Sequence, residues 1–88
     1  MLFRSIAAVN KASAQNHIEM LATKAYQAKV AEGTRKAQLD WFTALSAGNN
    51  AYVRELAQAQ ADYAAASARL DTANANLAYA QSALANLM

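Results

Sequence analysis

The C-terminal half of the chain repeats in steps of seven residues. A large side chain stands at the first position of every heptad, and a second apolar residue, alanine in all but the last heptad, follows three residues later. A repeat sustained over more than four heptads is typical of a helix that packs along one seam against another helix. The predicted seam consists of Leu56, Ala59, Tyr63, Ala66, Leu70, Ala73, Leu77, Ala80, Leu84 and Leu87.

Turn-favouring residues cluster in one segment, with the sequence SAGNN. Gly48 can take the left-handed conformation that ends a helix, and Asn49 or Asn50 can cap the next one. The pattern therefore predicts an all-α fold, namely an elongated antiparallel hairpin of two long helices with alanine-rich coiled-coil packing. We expect this hairpin to be part of a larger helical assembly. The predicted boundaries are a helix over about 3–46, a turn over 46–50 and a helix over about 51–88, in a single domain 1–88.

The apolar stripe of the first helix is less regular than that of the second. It runs through one heptad position at Ala7, Ala14, Leu21, Ala28 and Phe42. Glu32, Gly33 and Arg35 interrupt it, which favours a kink or a register change near Gly33. The i,i+4 pair of Glu32 and Lys36 favours continuity of the helix. A chain of three segments, broken here as well as at Gly48, is the alternative architecture.

The side of the second helix that faces away from the seam is poor in charge. After Leu56 the charged residues are Asp62, Arg69 and Asp71, and alanine fills most of the remaining positions. Alanine is a good helix former in water, so a merely solvated surface is one interpretation. We favour the other, in which small residues let further helices pack closely. Candidate partner contacts are Ala61, Ala68 and Ala75 on this side, Trp41 and Phe42 beside the turn, and Leu2, Phe3 and Ile6 near the N-terminus.

The composition is helical and offers little material for a core. Alanine supplies 25 of the 88 residues, proline and cysteine are absent, and a chain of this length buries only about 60% of its unfolded surface. No apolar run reaches the roughly 18–20 residues of a membrane span. Without cysteine, disulfides and thiolate metal sites are excluded.

The residue types of catalysis are present but are not grouped. His17 is the one histidine, and Glu19, the nearest carboxylate, falls across the helix from it. The six carboxylates form no pair that could divide acid and base roles, and no glycine-rich loop could hold a phosphate. We therefore expect no catalytic residues, no metal site and no cofactor, and we expect that the protein is not an enzyme.

Basic residues are concentrated in the first half of the chain, although the net charge is only +2. Arg4, Lys11, Lys29 and Lys36 share one edge of a continuous helix and could face phosphate or an anionic membrane. We favour an arrangement in which these side chains line the seam, with stems packed and charges in water. No aromatic residues alternate with them, so nucleic acid is a disfavoured partner.

Three families of helical hairpins share features with this chain. The stretch ELAQAQADYAAASARLDTANANLAYAQ, residues 55–81, resembles the hairpins of periplasmic membrane-fusion adaptors. A tryptophan shortly before the turn is similar to the layout of secreted hairpins with a Trp-Xaa-Gly motif, although WFT at Trp41 lacks the glycine. The length resembles that of type III secretion needle subunits, whose turn contains a proline that is missing here. We assign no family on these features.

Together these patterns predict a non-enzymatic structural or assembly subunit that self-associates through its alanine and leucine heptads. It would belong to a filament, a secretion apparatus or a virion. The alternatives are a helical adaptor or chaperone-like module that binds another protein, and an amphipathic coat on a membrane surface. The expected partners are further copies of the chain or other helical proteins, with a membrane surface less favoured.

Overall fold

Two long helices make up nearly all of the structure. The computed structural model describes the backbone of residues 2–87 and the side chains of residues 10–86. Helix α1 spans Leu2–Ser46, a 3₁₀ turn spans Asn50–Tyr52, and helix α2 spans Val53–Leu87. The helices pack against each other in a rod of 72 × 15 × 13 Å. The predicted all-α, elongated helical hairpin is confirmed.

The turn is closed by hydrogen bonds around one left-handed glycine. Gly48 has φ 76°, and the amide of Asn49 donates to the carbonyl of Ser46 at 3.2 Å. The Asn49 side chain then caps the next segment, since its Oδ1 accepts from the amide of Ala51 at 2.9 Å. Ser46 Oγ donates to the carbonyl of Tyr52 at 3.3 Å and ties the two helix ends together. The predicted roles of Gly48 and Asn49 are confirmed, but a 3₁₀ turn precedes the second α-helix and delays its start.

Helix α1 passes through Gly33 without interruption. The inward-facing stripe keeps one register on both sides of this residue, with Ala28 before it and Leu39 after it. Glu32 and Arg35 take the stripe positions between them at the same intervals of three and four residues. The helix is continuous, so the alternative of three segments broken at Gly33 is wrong, and the stripe also keeps its register there. One glycine destabilises a helix by only about 1 kcal/mol, which is too little to break a helix held along its length by a neighbour.

The core between the helices is thin and consists of small residues. Among the described side chains, the buried ones are Ala25, Ala59, Ala66 and Ala80, which are 5–9% exposed. Within the same part of the chain no side chain is less than 2% exposed. A buried leucine contributes about 1.5–3 kcal/mol to folding, and an alanine methyl contributes much less. The hairpin therefore gains little stability for its length from its own core.

The two glycines provide a matched test of this backbone. We expect Gly48→Ala to destabilise the hairpin by about 1–2 kcal/mol, because a Cβ disfavours the left-handed conformation. Gly33→Ala should instead stabilise it by up to about 1 kcal/mol, because alanine is the better residue inside a helix. A Cβ atom at either position would have no neighbouring atom within 4 Å, so steric clashes do not affect the comparison. Urea unfolding followed by circular dichroism at one protein concentration measures both effects, and changes of equal sign would contradict this description.

Candidate interaction surfaces

The predicted seam of α2 lies between the helices, with its alanines deeper than its large residues. Ala59, Ala66 and Ala80 are buried, and Ala73 is half-buried. The large seam residues are all half-buried, namely Leu56, Tyr63, Leu70, Leu77 and Leu84. Two helices approach most closely where their side chains are small, so alanine occupies the contact line and the larger residues spread beside it. The side chain of Leu87 lies outside the described residues.

Helix α1 supplies a complementary stripe that sequence reasoning identified only in part. Its buried and half-buried residues between 14 and 46 are Ala14, Ile18, Leu21, Ala25, Ala28, Glu32, Leu39, Phe42, Leu45 and Ser46. Glu32, a polar residue at which the sequence pattern predicts an interruption, is half-buried and continues the stripe. The alternating intervals of four and three residues were the available signal. A long polar side chain can occupy such a position because its stem packs while its charged end reaches water.

One ion pair joins the two helices beside the seam. Arg35 Nη1 lies 3.6 Å from Asp62 Oδ2 and donates to Gln38 Oε1 at 3.0 Å. Asp62 Oδ1 in turn accepts from Gln58 Nε2 at 2.9 Å. The side chains of Arg35 and Asp62 are 46% and 34% exposed, so solvent screens their attraction. This ion pair and its hydrogen bonds favour one alignment of the helices but add little stability.

The side of α1 that faces away from α2 carries large apolar residues. Met20, Tyr26, Val30 and Trp41 are 47%, 69%, 52% and 63% exposed; we call this set the α1 outer face. Trp41 does not pack on the end of the core, whereas its neighbour Phe42 is half-buried there. Sequence reasoning singled out Trp41 but missed the other three residues. Their distance from the seam positions on a helical wheel was the signal that could have found them.

The exposed side of α2 carries mostly small residues, and at Ala68 and Tyr79 it borders grooves that α1 also lines. Ala61, Ala68 and Ala75 are exposed, as is Tyr79, whose exposed fraction is 80%; these four residues are the α2 outer face. The structure therefore leaves the predicted alanine contacts of α2 open to water in the single chain. The side chains of the other three predicted contacts, Leu2, Phe3 and Ile6, lie outside the described residues.

The lysines of α1 stand at the edges of the seam. Lys11, Lys29 and Lys36 are exposed, and Arg35–Asp62 is the ion pair found among the described side chains. The spacing of Glu32 and Lys36 predicted an ion pair that the structure does not contain. With their charges in water, these lysines leave the α1 outer face free of charge.

The packing of alanine leaves shallow grooves on one side of the seam. One groove is lined by Leu21, Lys24, Ala68, Arg69, Thr72, Ala73 and Asn76, and another by Ala14, His17, Leu21, Asn76, Tyr79, Ala80 and Ala83. Over the described residues, no three histidine, aspartate or glutamate side chains come together as metal ligands. In that same part of the chain no helix combines the length and apolarity needed to cross a bilayer.

Comparison of the chain with protein-family models, with curated proteins and with solved structures gave no significant match. Function therefore has to be argued from the surfaces themselves.

A charge placed in the seam should unfold the hairpin. We expect Leu70→Asp or Leu77→Asp to lower the free energy of unfolding by about 2–4 kcal/mol, because the carboxylate would lose part of its hydration between the helices. The matched control is Gln81→Glu, which adds a charge at an exposed position. Helical circular dichroism should fall for the seam variants alone. Full helicity in all three variants would contradict the seam.

The ion pair should contribute weakly and depend on salt. A double-mutant cycle with Arg35→Gln and Asp62→Asn should give a coupling energy below about 1 kcal/mol, because both groups are partly exposed. Added salt should reduce it further. Urea unfolding of the four proteins at low and high salt measures the coupling energy. A coupling energy above about 2 kcal/mol that salt does not change would contradict a weak, solvent-screened ion pair.

Proposed function

We propose that this chain is a non-enzymatic structural subunit that self-associates through its helices, as a component of a filament, a secretion apparatus or a virion. The observation that carries the proposal is the mismatch between a thin core and a large surface. The hairpin exposes 6681 Å², whereas a compact monomer of its mass, 9.4 kDa, exposes about 5,000 Å². The difference of about 1,700 Å² reflects the elongated shape and is surface that is available for association.

The kind of residue left in water supports association with protein. Tyr26, Trp41 and Tyr79 are all more than 60% exposed. Tyrosine and tryptophan are enriched in the buried centres of protein interfaces, where they combine a large apolar area with few rotatable bonds. Burying them gives about 25 cal/mol for each Å² of apolar surface, a gain that the hairpin alone does not obtain.

Self-association is favoured over the two alternatives by the smallness of the α2 outer face. A helix that coats a membrane presents a continuous bulky apolar side to lipid, whereas Ala61, Ala68 and Ala75 would insert almost nothing. An adaptor for another protein would use the same exposed residues. The adaptor role would not explain why one chain carries both a face of large residues and a face of small residues.

Sedimentation velocity over a wide range of protein concentration, combined with electron microscopy, tests the proposal. We expect large, regular species to form as concentration rises, with helical circular dichroism retained. A single folded monomer at every concentration would contradict the proposal. Helix formation that requires anionic lipid vesicles would instead support the membrane coat. The control variant is Leu70→Asp, which should form no regular species.

A further inference from the structure

The exposed apolar residues of α1 lie on one nearly uncharged surface. On a wheel of about 100° per residue, the four residues of the α1 outer face fall within an arc of about 120°. Between residues 20 and 45 no charged residue falls within that arc, and the exposed Glu19, next to Met20, places one charge at its N-terminal end. The charges of this segment, such as Lys24, Lys29 and Lys36, flank the seam instead. This is the reverse of an ordinary amphipathic surface helix, whose outward side carries the charges.

The outward side of α2 is also uncharged but differs in size. Between residues 57 and 86, the arc of about 100° that contains the α2 outer face holds alanine, serine, threonine, asparagine and Tyr79, and no charge. Large residues of one helix pack best where a facing helix offers small ones, because the axes can then approach closely. The two outer faces are therefore complementary in size, and the nearest charges, Glu19 and Asp71, lie at the end of one face and at the edge of the other, where they can stay in water.

The lengths of the two faces are also similar. Met20 and Trp41 are separated by 21 helical residues, or about 32 Å, and Ala61 and Tyr79 by 18 residues, or about 27 Å. The surface area agrees with the use of both faces at once. A standard protein interface buries about 800 Å² on each partner, so the surplus of about 1,700 Å² is large enough for two such contacts on each chain.

We propose that the α1 outer face of one copy docks on the α2 outer face of the next copy, so that hairpins join side by side in an open row. The proposal rests on the self-association proposed above and specifies its geometry. A contact between two different faces is heterologous, and repeating it extends an assembly instead of closing a dimer. A symmetric pairing of α1 with α1 would oppose large residues to large ones and leave the α2 outer face in water.

Disulfide trapping tests which faces meet, and the natural chain contains no cysteine to interfere. A Val30→Cys chain is mixed, in separate experiments, with an Ala61→Cys, an Ala68→Cys or an Ala75→Cys chain, and assembled under mild oxidation. A disulfide forms only when Cα atoms come within about 7 Å, so it reports direct contact. We expect one mixture to give the mixed disulfide in excess of both homodisulfides. The partner that reacts identifies the stagger, since seven residues correspond to about 10 Å.

The control chain is Lys36→Cys, which is exposed on α1 but lies off the α1 outer face. Mixed with the same three α2 variants, it should give little mixed disulfide. Dominance of the homodisulfide between two Val30→Cys chains, or only statistical mixtures in all three experiments, would overturn the heterologous contact even if large species form. Absence of any large species from the natural chain would overturn the proposed function as well, so the two failures are distinguishable.

Variants without cysteine give a second readout. Trp41→Ser and Tyr26→Ser should each raise the concentration needed for association at least about tenfold, as loss of a buried aromatic anchor does in other interfaces. Both side chains are mostly exposed in the single chain, so helicity at high dilution should not change. Lys36→Ser is the matched control and should associate normally. Trp41 is the only tryptophan, and its emission in the natural chain should shift to shorter wavelength on association. Normal association of both aromatic variants would overturn the proposal.

Discussion

The close approach of α1 and α2 along a line of alanines is the interaction on which the rest of the structure depends. Small residues such as Ala25, Ala59 and Ala66 let the two backbones come together over a long distance, but each contributes little buried area. The leucines beside them remain half-buried, because the helices are too close for large side chains to sit between them. A long, narrow rod with a large surface follows directly from this choice of residues. Its stability has to come from many weak contacts or from neighbours.

A core of nearly identical small residues specifies alignment poorly, since a shift of seven residues replaces one alanine by another. Two polar features supply the missing specificity. At one end, left-handed Gly48 and the Asn49 cap fix where the chain reverses. Along the rod, Arg35 meets Asp62 across the seam, and a shifted alignment would separate the two charges. These contacts add little free energy, as is usual for exposed ion pairs, but they penalise the competing registers.

Sequence reasoning recovered the parts of this structure that repeat or that need special backbone geometry. The heptads of α2 predicted the hairpin, and SAGNN predicted its turn, because only glycine takes the left-handed conformation there at low cost. At Gly33 the polar residues in the stripe suggested a register change, which the structure does not contain. A long helix held by its neighbour keeps its register, and the stem of Glu32 packs where an apolar residue was expected. Sequence reasoning also did not identify Tyr26, Val30 and Tyr79 as exposed, although their positions opposite the seam on a helical wheel predict it.

The central claim is that the helix pair alone is marginal and that further helices complete its packing. The most direct measurement is the thermal unfolding midpoint of the natural chain, followed by circular dichroism over about a hundredfold range of protein concentration. If association supplies the missing burial, the midpoint should rise steadily with concentration, because the partner binds only the folded chain. A high midpoint that is the same at every concentration would mean that the hairpin is stable by itself, and would contradict the account.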